Sequence, residues 1–323
     1  MDSAYSPRRR HPILRICTVI FLLLLLAGGI WAYHAGLFTG SSSTLEFEDL
    51  DSLPWKLILV NQDHAFPDNW SQELTTLSNG TQVDSRIYPE LQQMFDDMRA
   101  QGVYPVVASG YRSAEKQQSL MDDKIKEFID QGESAAQAKK DAKKWVNPVG
   151  YSEHQTGLAM DINADGVNST GEEVYTWLKE HAWEYGFILR YPDGKTDITG
   201  TDYEPWHYRY VGQPHATYMT EHDLCLEEYL DELRQYSAEN PLTIENWDGE
   251  LYQVYFVPAD MSADGTYALI PTNASYTISG NNKDGYIVTV DTGEIQSFDS
   301  AADSSTDSAA ETESTAEAES EPA

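Results

Sequence analysis

From Ser152 to Ile162 the chain reads Ser-Glu-His-Gln-Thr-Gly-Leu-Ala-Met-Asp-Ile, a turn feeding a strand that has to serve a core and a polar cleft at once. Leu158, Met160 and Ile162 alternate with Ala159, Asp161 and Asn163. In an extended segment this puts the apolar set on one face and Asp161 on the other. His154 and Asp161 are both ligand types for first-row metals, and Gly157 between them lets the backbone turn so that the two side chains converge.

A third ligand is expected in Tyr203-Glu204-Pro205-Trp206-His207-Tyr208-Arg209-Tyr210, where aromatic residues surround a single histidine in a second strand-like run. Strand alternation there places Trp206, Tyr208 and Tyr210 on one face and His207 on the other. Two histidines and one carboxylate leave a coordination position for water, which is the catalytic rather than the structural zinc pattern. Glu204, just upstream of His207, is the natural base for that water.

The segments Ser109-Gly110-Tyr111-Arg112-Ser113, Ser152 to Ile162, and Glu204-Pro205-Trp206-His207 resemble, in order, the three motifs of VanY-type D-alanyl-D-alanine carboxypeptidases. These are zinc peptidases of bacterial cell walls. The likeness runs from about Trp55 to Leu230 and includes Leu59-Val60-Asn61 near its start. It implies an α+β fold with an antiparallel central sheet, helices against it, and Zn2+ in the sheet cleft on His154, Asp161 and His207. Glu204 would act as base, Arg112 would hold substrate and support the oxyanion, and Ser152 would contact substrate. The reaction implied is release of the C-terminal D-Ala from peptidoglycan stem peptides. An L,D-carboxypeptidase acting on tetrapeptide stems shares these metal motifs. A non-catalytic peptidoglycan-binding module is the third reading, against which all ligand and base positions being filled counts.

Taken alone, an arginine at a strand end such as Arg112 is a surface ion-pair former, an expectation the surrounding motif reverses; Ser152 either contacts substrate or caps its turn. The formal net charge of −32 argues against nucleic acid as partner, since phosphate binding requires a basic surface. Two cysteines occur, Cys17 in an apolar run and Cys225 far downstream. No disulfide is expected, and Cys225 reads as a small buried hydrophobe.

The organisation follows from composition shifts along the chain. Residues 1–12 hold Arg8-Arg9-Arg10, and residues 13–35 are almost wholly apolar apart from Arg15. That pattern predicts a cytoplasmic basic segment and a single transmembrane signal-anchor, with the catalytic part outside the cytoplasmic membrane. Trp31, Tyr33 and His34 disfavour a cleaved signal peptide. Residues 36–53 read as a flexible stalk. The zinc domain is expected over 54–237, with Trp55–Asn61 as a strand or extended edge, a core-facing helix from Pro89 to Ala100, a buried strand over Tyr104–Ser109, two solvated helices broken near Gly132, and an amphipathic helix over Glu172–Gly186. His181, His215 and His222 are expected to be packed or surface histidines rather than ligands. Alternating runs in 238–296 predict a small β appendage, and 297–323 an acidic disordered tail.

Overall fold

Leu158, Met160 and Ile162 are fully buried, so the alternation in the sequence is realised in space. The computed structural model describes residues 45–49, 56–260 and 266–295. Its elements in chain order are β1 (Leu45–Asp49), β2 (Leu74–Thr76), β3 (Gln82–Asp84), α1 (Tyr88–Ala100), β4 (Pro105–Ser109), α2 (Ala114–Asp130), α3 (Ala135–Ala142), β5 (Ala159–Ala164), α4 (Gly171–His181), β6 (Phe187–Leu189), α5 (Thr196–Thr199), β7 (His207–Tyr210), α6 (His215–Glu221), α7 (Leu226–Leu233), β8 (Leu242–Glu245), β9 (Glu250–Pro258), β10 (Tyr267–Pro271), β11 (Tyr276–Gly280) and β12 (Gly285–Ile295).

The central sheet has the order β4-β5-β7-β6 with every pair antiparallel. Its apolar face presents Val107, Met160, Ile162, Tyr208 and Tyr210 to Leu91, Met94, Phe95 and Met98 of α1 and to Val174, Trp177 and Leu178 of α4. Helical spacing of those residues makes each helix amphipathic, and each buried large side chain contributes about 1.5–3 kcal/mol. Pro89 opens α1, and a capping box between Thr170 and Glu173 opens α4. The mixed α+β architecture with an antiparallel central sheet is as expected.

A second layer of packing joins the strands beyond residue 237 to this sheet. Ile244, Val254 and Ile287 enter the same buried cluster as Leu57, Leu59, Ile188, Val211, Leu226 and Leu233. The strands themselves form a four-stranded antiparallel sheet in the order β11-β12-β9-β8.

Three expectations are revised. Leu57 to Val60 are buried but form no strand. Their backbone groups are taken by scattered partners instead of a ladder: Leu57 N–H donates to Ser279 Oγ, Leu59 N–H to the Asn281 carbonyl, and Arg209 donates to the carbonyls of Lys56 and Ile58. Part of the stretch expected as a flexible stalk is ordered, because β1 pairs with β10. The helix expected to Gly186 ends at His181 and continues as a 3-10 turn, which moves Trp183 away from the α4 face and toward the second cluster. Residues 13–35 and 297–323 lie outside the described residues. Among the described residues no helix is long and apolar enough to cross a membrane.

Candidate active site

The site is assembled by strand register. Asp161 pairs with Ser109 on one side and with His207 on the other, so β4, β5 and β7 deliver polar residues to the sheet face opposite the core. His154 comes from the 3-10 turn Glu153–Thr156 that leads into β5. Gly157 ends that turn at φ +77°, and a Cβ there would lie 3.0 Å from the Asp84 backbone nitrogen. Only glycine satisfies both the left-handed backbone and the close approach. The Arg112 N–H donates to the His154 carbonyl, which ties the loop after β4 to the same turn.

Ligand atoms of His154, Asp161 and His207 all lie within 4.8 Å of one another. His154 Nδ1 sits 2.8 Å from the Gly110 carbonyl, which can only accept, so Nδ1 carries the proton and Nε2 offers its lone pair. His207 turns Nδ1 toward the cluster, 3.1 Å from Asp161 Oδ1 and 3.5 Å from Glu204 Oε2. Arg112 donates from Nε to Ser109 Oγ at 2.7 Å and from Nη2 to Asp161 Oδ2 at 2.5 Å.

Burial and neighbouring charge set the protonation states. Burial, helped by the Arg112 charge, pushes His154 down to about 4 and leaves it neutral. Burial opposes ionisation of Asp161, but the two histidines outweigh it and hold the carboxyl well below its usual range. Burial likewise opposes charge on His207, yet the hydrogen bond to Asp161, the facing Glu153 carboxylate and the charges of Asp161 and Glu204 raise it to about 9. Glu204 is pushed up to about 7, mainly by burial and further by Asp161, against the pull of His207 and Arg112. A carboxyl near neutrality beside a ligand cluster suits proton transfer in both directions.

The family model described as VanY, D-alanyl-D-alanine carboxypeptidase, matches residues 80–213. A D-alanyl-D-alanine carboxypeptidase of Enterococcus faecalis is 53% identical over 207 residues, covering 62% of this chain and 77% of that one. The chain belongs to the VanY family of D-alanyl-D-alanine carboxypeptidases. A crystal structure of a VanY D,D-pentapeptidase from a VanB-type resistance cassette, in complex with Zn(II), superposes with a TM-score of 0.54 at 57% identity, covering 55% of this chain and 99% of that one. The VanXYg D,D-dipeptidase, solved with a D-Ala-D-Ala phosphinate analogue, superposes with a TM-score of 0.65 at 32% identity, covering 76% of this chain and 99% of that one.

The donor set fits a zinc ion: two imidazoles that can each offer a lone pair and one carboxylate, with Glu204 beside them. The cleft beside it is about 220 Å3. Ser152 lines that cleft and makes no side-chain capping bond, so the capping role is not realised. Trp206 was expected on the core face with Tyr208 and Tyr210; it precedes β7 and lines the cleft instead, because strand alternation begins only at His207.

Gln117, Asn147 and Tyr191 also line the cleft, although no motif in the sequence marks them as cleft residues. Gln117 donates to the Asn147 carbonyl and Asn147 donates to Tyr191 Oη, so α2, the loop after α3 and the loop after β6 close one wall. Gln117 is buried together with Met121 on α2, and that burial follows from tertiary packing, so the sequence offered no signal for it. Of the histidines not expected to ligate, His181 is half-buried against the Trp177 ring and His222 is an exposed surface residue beside Tyr218. His215 is fully buried, and Cys225 is buried at the start of α7.

Proposed function

We propose that this protein is a zinc-dependent D,D-carboxypeptidase that removes the C-terminal D-alanine from peptidoglycan stem peptides. The observation that carries the reading is the convergence of His154, Asp161 and His207 with the raised carboxyl of Glu204 beside them. In this reading His154 Nε2, Asp161 and His207 Nδ1 hold the ion, which when bound lowers the pKa of water and polarises the scissile carbonyl. Glu204 takes a proton from the water that attacks the penultimate carbonyl. Arg112, fixed by Ser109 and Asp161, donates to the oxygen on which negative charge develops. Glu204 then returns the proton to the departing amine as the C–N bond breaks, yielding a shortened peptide carboxylate and free D-alanine. Ser152 and the Gln117–Asn147 wall contact the terminal residue.

The test is release of D-alanine from separate penta- and tetrapeptide stems, followed by mass spectrometry with a chelator control. Release from the pentapeptide, abolished by chelation, is expected. Release from the tetrapeptide alone would reassign the enzyme to L,D-cleavage, and binding without release would make it a wall-binding module. Glu204→Gln is expected to keep zinc and lower turnover ~10²- to 10⁴-fold; near-native turnover would remove Glu204 from the role.

The proposed location is outside the cytoplasmic membrane, held there by residues 13–35. It is supported by the apolar run following Arg8, Arg9 and Arg10. Fractionation of cells, with external protease degrading the catalytic part of intact protoplasts, is the expected outcome; recovery in the cytosol would refute it.

A further inference from the structure

Behind the ligand cluster two buried polar atoms face each other, and among the described residues neither has a hydrogen-bond partner: His207 Nε2 and Glu153 Oε2. They are 3.8 Å apart. Glu153 is 1% exposed, and its other oxygen, Oε1, accepts from Arg190 Nε at 2.8 Å and from Arg209 Nη1 at 2.7 Å. Arg190 is in turn held by Glu227 through both terminal nitrogens, and Glu227 accepts from Asn61 Nδ2. The Glu153 carboxylate therefore has no freedom to turn away from His207.

A neutral imidazole has one N–H. If Nδ1 gives its lone pair to a cation, the proton must sit on Nε2, and a buried N–H requires an acceptor. Glu153 Oε2 is the acceptor that faces it. Closing the pair to the ~2.9 Å of an N–H···O bond requires a movement of about 0.9 Å.

We propose that Glu153 is a positioning residue that holds His207 as the Nε2–H tautomer with Nδ1 aimed at the metal, and that Arg190 and Arg209 hold Glu153 for that purpose. The proposal rests on His154, Asp161 and His207 being the zinc ligands. Glu153 touches neither substrate nor the reacting atoms. Its effect is on the affinity and geometry of the ion, and through these on turnover.

The test uses the full-length protein and zinc. Affinity is measured by competition with a chromophoric chelator for the wild type, Glu153→Gln and Glu153→Asp, with the cobalt-substituted visible spectrum as a second readout. In Glu153→Gln the amide oxygen remains with the two arginines and its NH2 meets His207 Nε2–H, donor against donor. A 10- to 100-fold loss of zinc affinity and an altered cobalt spectrum are expected, with partial recovery in Glu153→Asp and an unchanged KM for peptide. Because removing a buried charge can also prevent folding, the wild-type zinc protein is examined by 15N imidazole NMR. A protonated Nε2 with a downfield, exchange-protected proton on His207 is expected.

Equal zinc affinity in the wild type and a folded Glu153→Gln, or protonation of His207 on Nδ1 in the zinc protein, would overturn the proposal and leave the peptidase reading intact. Failure of the wild type to bind zinc would overturn the ligand assignment itself and this proposal with it.

Discussion

Arg112 bridges Ser109 Oγ and Asp161 Oδ2 through Nε and Nη2, two donors on one edge of its planar group. A lysine has the charge and three donors but not the rigid planar fork, so it cannot keep the spacing to Ser109 and Asp161 while aiming a donor at the substrate of the proposed reaction. Arg112→Lys is expected to lower kcat by ~10²- to 10³-fold, with zinc content and melting temperature nearly unchanged; steady-state kinetics with metal analysis checks this. His215 makes a different kind of prediction. Burial, with the charge of Lys56, holds it well below the ordinary histidine value, and its ring is fixed between Tyr229 Oη and Thr289 Oγ1. The unfolded chain takes a proton on it near pH ~6.5 while the folded chain does not. Lowering the pH below that value therefore favours the unfolded state, by up to ~1.4 kcal/mol per pH unit. Urea unfolding at pH 7.5, 6.5 and 5.5 is expected to show a shallower fall in stability for His215→Gln than for the wild type.

Among elements, the turn before β5 and the loop after β4 decide the site. Gly110 has Gln82 O where a Cβ would stand, at 2.1 Å, and its own carbonyl fixes the His154 tautomer. Gly110→Ala must push β3 and β4 apart. Loss of roughly 1–3 kcal/mol of stability, the cost of overpacking, together with weaker zinc binding, is expected from urea titration and chelator competition. Unchanged zinc affinity at reduced stability would separate the loop from the ligand geometry. The ladder contributes in the same way: a one-residue slip of β7 against β5 would turn His207 into the core and Tyr208 into the cleft.

At the scale of the molecule, the strands beyond residue 237 share the cluster that holds Leu57, Leu226 and Leu233. Removing them uncovers that cluster; the loss of Ile244, Val254 and Ile287 alone represents roughly 5–9 kcal/mol of burial. A chain ending at residue 237 is expected to aggregate or to melt far below the full chain, as read by size-exclusion chromatography and calorimetry. The VanXYg structure covers 76% of this chain, more than the part up to residue 237 can supply, so the likeness continues into these strands. The interior also balances its own charge: Arg190 and Arg209 offset Glu153 and Glu227 in a protein whose formal net charge is −32.

The sequence by itself determined which residues could meet a metal and on which kind of element each sits. Alternation at Leu158–Ile162 assigns Asp161 to the polar face, the helical spacing of Leu91, Met94, Phe95 and Met98 assigns α1 to the core, and the spacing of Glu204 to His207 places a carboxyl beside a histidine of the cluster. These are local periodicities, and backbone geometry translates them directly into direction. Tertiary structure alone decided the rest. The pairing of Asp161 with His207, the Glu153–Arg190–Glu227 chain, the Gln117–Asn147–Tyr191 wall and the irregular path of Leu57–Val60 all join segments distant in sequence. Such contacts depend on strand register and on which buried charge finds a partner, and neither leaves a period in the sequence to be read.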